Sequence, residues 1–133
     1  MWAISSYPYF VFNDEEAIPP DYYTPLAART DKPLAVAEGG FASRPLGPIQ
    51  VDSDDQAAYL QAIHDQLGDR LTFWVYIILD GLNMEAIGQM MREQGRPAQY
   101  IETLGMFAPV GLRESDGTPK PALAVWDAYR ADR

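Results

Sequence analysis

Apolar residues come in short runs separated by proline, glycine and acidic turns, and three of these runs have the character of strands. Ala3-Ile4-Ser5-Ser6-Tyr7 is closed by Pro8, which donates no backbone hydrogen bond and restricts its predecessor. Leu34-Ala35-Val36-Ala37, bounded by Pro33 and the Gly39-Gly40 pair, is continuous and small, as in a strand buried on both faces. Residues 70–81, RLTFWVYIILDG, concentrate β-branched and aromatic side chains and predict a third strand.

Helical spacing alternates with these runs. PPDYYTPLAART predicts a helix with Asp21 near its start and Pro25 in its first turn. DSDDQAAYLQAIHDQLGD gives the clearest signal: Asp52, Ser53 or Asp54 caps it, Ala57, Leu60, Ile63, His64 and Leu67 recur along one face, and Gly68 ends it. MEAIGQMMREQG predicts a short helix, and KPALAVWDAYRADR a terminal one beginning near Pro121. The order strand, helix, strand, helix, strand, helix predicts an α/β fold with parallel strands and right-handed crossovers. Asn13, Asp14 and the Pro19-Pro20 pair mark an irregular loop, on which Asp14, Glu15 and Glu16 form a solvated acidic cluster.

Composition narrows the function. The 133 residues carry a formal net charge of -9 and no cysteine, with three Trp, eight Tyr and five Phe. That is material for one domain with a packed core, residues 1–133, and not for a disordered chain. An acidic balance without a basic run disfavours nucleic acid and anionic membranes, because counterion release at phosphates needs clustered Lys and Arg. Uncharged polymers such as neutral glycans stay acceptable as partners. Without cysteine there are no disulfides or thiolate metal sites, and a lone histidine supplies neither a His-based metal site nor a serine triad, so no metal or cofactor is expected. No run approaches the about 18 apolar residues of a membrane helix, and MWAISSYPYF does not read as a secretory signal.

The candidate chemistry sits at the predicted strand ends. In parallel α/β architectures ligands meet the carboxyl ends of strands. Glu38 stands at the end of the second, Tyr7 at the end of the first, and Trp74 and Tyr76 near the end of the third. A carboxylate among aromatic rings suits sugar chemistry, since flat rings stack on pyranose faces and a carboxylate attacks or stabilises an oxocarbenium-like centre. Each residue also has a plainer role open to it. Glu38 could accept backbone amides in a turn or pair with a cation, Trp74 could be core, and Tyr7 could close the rim. His64 reads as structural or surface, and Asp80 either borders the site or forms a turn with Gly81.

The segments ISSYPYF, IPPDYYTPLAARTDKPLAVAEGGF, DQAAYLQAI, FWVYIILDG and GLRESDGTPKPALAVWDAYR, taken together, resemble the C-terminal part of a (β/α)8-barrel retaining glycoside hydrolase of the arabinogalactan endo-β-1,4-galactanase type. The resemblance implies a partial TIM barrel of about the last three βα units. It implies that Glu38 is the catalytic nucleophile, followed by a Gly40-Phe41 pair matching the family pattern, and that Tyr7, Trp74, Tyr76 and Phe41 belong to the substrate site. Gly39 departs from the pattern, which has Thr or Ser there. The family's acid/base, in an Asn-Glu pair, has no counterpart. A barrel takes about 200 to 250 residues, so the reading expects a fragment, inactive alone and completed either by a missing N-terminal half or by self-association through open sheet edges. Its substrate is a neutral polysaccharide, and extracellular or periplasmic work follows by analogy only. A non-catalytic carbohydrate-binding module and a freestanding dimeric α/β domain are the alternatives.

Overall fold

In the computed structural model, which describes residues 1–12 and 18–131, the chain forms a three-stranded parallel sheet in the order β1 (Trp2–Ser6), β2 (Leu34–Gly39), β3 (Leu71–Trp74). The helices are α1 (Thr24–Ala27), α2 (Ser53–Leu67), α3 (Met84–Glu93), α4 (Ala98–Gly105) and α5 (Pro121–Ala131). Single 3-10 turns cover Pro8–Phe10, Gly68–Arg70 and Ala108–Val110. The α/β class and the parallel strands are those the alternating pattern predicts. The acidic cluster Asp14, Glu15 and Glu16 lies outside the described residues.

The sheet has one covered face. Leu34 and Val36 of β2 and Leu71 of β3 pack with Tyr59, Leu60, Ile63 and Leu67 of α2 and with Phe41 in the main core. The aliphatic residues of this set bury enough surface to contribute roughly 1.5–3 kcal/mol each. Helix α2 begins where its carboxylates dictate. Asp52 accepts from the backbone N–H of Asp54 at 2.8 Å and Asp55 at 3.1 Å, while the Asp55 carboxylate accepts from the Asp52 N–H at 2.7 Å. This reciprocal pair satisfies donors that the first helical turn leaves free.

The buried stripe of α2 is Gln56, Tyr59, Leu60, Ile63 and Leu67. Ala57 and His64, predicted on that stripe, are only half-buried. The predicted first helix shrinks to one turn, with Tyr23 and not Asp21 at its N-cap. Helix α4, which follows Pro97, was not predicted. Four of its eight residues are apolar, but the run is short and the Gly-Arg-Pro before it reads as a loop.

The third strand is shorter than predicted. Regular pairing ends at Trp74, although the Val75 N–H still donates to Val36 O at 2.9 Å and the Ile77 N–H to Gly39 O at 2.9 Å. Residues 75–80 thus follow β2 without a regular ladder. Thr72 is an extra residue, since Leu71 lies opposite Leu34 and Phe73 opposite Ala35. Beyond it, Trp74, Tyr76 and Ile78 pack toward the core, whereas Phe73, Val75, Ile77 and Leu79 are 37% to 50% exposed. The second face of the sheet is therefore open. No described helix is long and apolar enough to cross a membrane.

Candidate functional site on the open face of the sheet

Strict alternation along β2 would turn Glu38 inward, on the same side as Leu34 and Val36. A bulge prevents this. Ile4 is opposite Val36, but Ser5 is opposite Glu38, so Ala37 is one residue more than β1 can match. On β1, Ala3 and Ser5 are exposed while Ser6 is buried, and Glu38 joins the exposed set with Ser5. A one-residue insertion reverses which face a side chain occupies. The carboxylate thus emerges on the open face, at the carboxyl end of the central strand.

Tyr7, one residue past β1, meets it there. Its hydroxyl donates to Glu38 Oε1 at 2.5 Å. Desolvation, and after it the hydrogen bond to Glu38 and that residue's negative charge, push the phenol well above its ordinary range, so it remains a donor. No described residue forms a salt bridge with Glu38. The result is an exposed carboxylate oriented by a single phenol.

The glycines after Glu38 have separate reasons. A Cβ on Gly39 would stand 2.7 Å from Tyr59 Oη and 3.1 Å from the Ser6 carbonyl. Tyr59 donates its hydroxyl to that carbonyl at 3.0 Å, so the space of a side chain at 39 is already filled. This gives a physical reason for glycine where the resembled pattern has Thr or Ser. At Gly40 a Cβ would collide with Val110 Cγ1, so the absence of a side chain lets the 108–112 segment close over the strand end.

Of the five expected site residues, Glu38 and Tyr7 come together on the open face, while Phe41 and Tyr76 meet each other inside the packed side. Phe41 is wholly buried, its ring stacked on Tyr59 at 5.3 Å, and in this position it forms core and not a ligand surface. Trp74 points to the helix layer, edge-on to Trp126 at 4.9 Å and Tyr129 at 5.5 Å. Tyr76 lies on that same side. Its hydroxyl donates to the Val110 carbonyl at 2.7 Å and accepts from the Phe41 N–H at 3.3 Å. The expected indole floor is thus replaced by a structural aromatic layer, because the extra residue Thr72 sends positions 74, 76 and 78 inward. Asp80 is bound to the Arg113 guanidinium at 2.7 and 2.9 Å, and His64 sits edge-on to Tyr129 at 3.9 Å in a groove between α2 and α5.

Two buried polar residues went unnoticed in the sequence. Gln56, fully buried, directs its amide to Val110 O at 2.8 Å, Phe41 O at 2.9 Å, Tyr76 Oη at 3.0 Å and Gly111 O at 3.2 Å. Lys120, also buried, donates to Ser43 Oγ at 2.9 Å and Pro109 O at 3.2 Å, and burial lowers its pKa. Together they lace the loop after Glu38 to the 108–112 segment and hold the rim of the site. Gln56 had a legible signal: a polar residue three and four positions before Tyr59 and Leu60, on the apolar stripe. Lys120 had none, since its burial depends on the loop bearing Ser43, 77 residues away, packing beside it.

No protein-family profile, curated protein or solved structure matches this chain. Among the described residues no cluster of three or more His, Cys, Asp or Glu is placed to hold a metal ion.

Proposed function

We propose that the chain is the C-terminal portion of a (β/α)8-barrel retaining glycoside hydrolase acting on a neutral polysaccharide, with Glu38 as nucleophile. The observation that carries the reading is the Tyr7–Glu38 hydrogen bond at the carboxyl ends of parallel strands, on a face otherwise lined by uncharged side chains such as Ala3, Ser5, Val75 and Ile77. In this mechanism a Glu38 oxygen attacks the anomeric carbon, the glycosidic C–O bond breaks, and water later releases the sugar from the glycosyl-enzyme. Tyr7 holds the carboxylate in line and donates a hydrogen bond to it. The acid that protonates the leaving oxygen, about 5 to 5.5 Å from Glu38, comes from a partner half that also covers Phe73, Val75, Ile77 and Leu79 and pairs with the outer strands β1 and β3.

A substrate whose leaving group needs no proton tests Glu38 in the chain as it stands. A dinitrophenyl glycoside with fluorine beside the anomeric carbon transfers its sugar to the nucleophile and expels dinitrophenolate. Mass spectrometry is expected to find the sugar on the Glu38 peptide and to find none in Glu38→Gln. An unlabelled Glu38, or label that persists elsewhere in the variant, overturns the assignment. Adding a complementary N-terminal half is expected to bring hydrolysis of ordinary aryl glycosides, again abolished by Glu38→Gln.

The exposed row Phe73, Val75, Ile77 and Leu79 also favours a second reading, a self-associating module that binds glycans without cleaving them. Light scattering that finds a stable dimer, together with glycan affinity and no sugar transfer to Glu38, selects it.

A further inference from the structure

Beyond the Tyr7–Glu38 pair, the rim carries aromatic rings that the sequence pattern did not single out. Tyr7, Phe10 and Phe107 pack as a triangle, with ring centroids at 5.8 Å for Tyr7–Phe10, 5.7 Å for Tyr7–Phe107 and 5.6 Å for Phe10–Phe107. Phe10 is 39% exposed, Phe107 is half-buried, and the neighbouring Met106 is 40% exposed. We infer that Phe10 and Phe107, with Tyr7 between them, form a stacking subsite for one ring of an uncharged oligosaccharide whose next ring lies over Glu38. The inference rests on the glycosidase reading of Glu38 and extends it to a subsite.

The platform is built in advance. Tyr9, fully buried, lies under Phe10 at 4.2 Å and donates its hydroxyl to the Met106 carbonyl at 3.3 Å. This bond ties the Pro8–Phe10 turn to the segment bearing Phe107, 97 residues away in the chain. Rings fixed before binding lose little freedom when a ligand arrives. The edge-to-face contacts of Phe107 with both other rings leave no room for a guest between them, so what they offer is outer faces. That geometry suits the C–H face of a pyranose and not a cation enclosed in a cage. The charge of the site points the same way: Glu38, with no described ion-pair partner in a chain of net charge -9, repels anionic ligands.

The test is a heteronuclear NMR titration of the chain with neutral β-linked tetrasaccharides of galactose, glucose and mannose, and with choline as the cationic comparison. Saturable binding of at least one tetrasaccharide is expected, with shifts centred on Tyr7, Phe10 and Phe107. Phe10→Ala and Phe107→Ala are each expected to weaken it by about tenfold, the scale of an aromatic pairing, and Phe107→Trp to retain it. Tyr100→Ala, at an exposed tyrosine on α4, serves as a control and is expected to change nothing. Phe10→Ala keeps the test valid if Phe107→Ala fails to fold. The subsite is overturned if no tetrasaccharide binds, if choline binds in preference, or if binding ignores both alanine variants or responds equally to Tyr100→Ala. Binding that depends on the two phenylalanines while Glu38 takes no fluorosugar label removes the nucleophile and keeps the subsite. Label without phenylalanine dependence does the reverse.

Discussion

One sheet presents two contrasting faces. On the helix side Val36, Phe41, Leu60 and Ile63 are fully buried, and the Gln56 amide N–H groups and the Tyr59 hydroxyl are bonded to backbone carbonyls, while Gln56 Oε1 and Trp74 Nε1 are buried without a partner among the described residues. On the open side Ala3, Ser5, Glu38, Phe73, Val75 and Ile77 face outward, and there the Tyr7 hydroxyl donates to Glu38. The comparison teaches that the folding stability of this chain resides in one face while its candidate chemistry resides in the other. Substitutions on the two faces should therefore separate stability from function.

The largest separation is expected in the core. Leu60→Ala should destabilise the chain by about 2–5 kcal/mol, since a fully buried side chain leaves both lost transfer energy and a cavity. Val75→Ala on the open face should cost within about 0.5 kcal/mol, as ordinary for an exposed site. Chemical denaturation of both variants measures the difference, and equal losses would erase the distinction between the faces.

Alkaline titration probes four phenols of the closed side together with Tyr7 of the open one. Burial is the largest cause raising Tyr7, Tyr9, Tyr23, Tyr59 and Tyr76 above the ordinary phenol value of 10.0. The unfolded chain releases these protons near pH 10 and the folded chain does not, so their contribution is complete below that pH and is lost as the pH rises further. The lowered Lys120 acts in the opposite sense, but it is one group against five. Circular dichroism with tyrosinate absorbance should record cooperative unfolding above about pH 10, with the tyrosines ionising in the same transition.

At Gly39 the faces meet. Gly39→Ser should cost about 1–3 kcal/mol through its collision with Tyr59 Oη. In a Tyr59→Phe background, which removes that oxygen, the same substitution should cost clearly less, and additive losses in the double-mutant cycle would remove the steric explanation. The smallest effect belongs to the open side. Tyr7→Phe should change stability by less than about 1 kcal/mol, while reducing the rate at which Glu38 takes up the fluorosugar.

The alternation of strands and helices apart from α4, the parallel α/β class, a cap among Asp52, Ser53 and Asp54, and the terminal helix near Pro121 were legible because they rest on local patterns: alternation of strand and helix periods, a capping side chain, a proline at a helix start. The site was legible only in part. Glu38 and Tyr7 could be singled out as strand-end residues, but Trp74 stayed open between core and subsite, and Tyr76 and Phe41 could not be recognised as structural. Their direction depends on Ala37 and Thr72, two extra residues that exist only relative to neighbouring strands. Phe10 and Phe107 were equally hidden, being brought together from nearly a hundred residues apart.

By itself, then, the chain's order of residues determined what each segment tends to become, because helix and strand preferences act over a few neighbours. Tertiary structure alone decided which side of the sheet each residue faces, since that is a property of register between strands, and one unmatched residue is enough to move a carboxylate from the core to the surface.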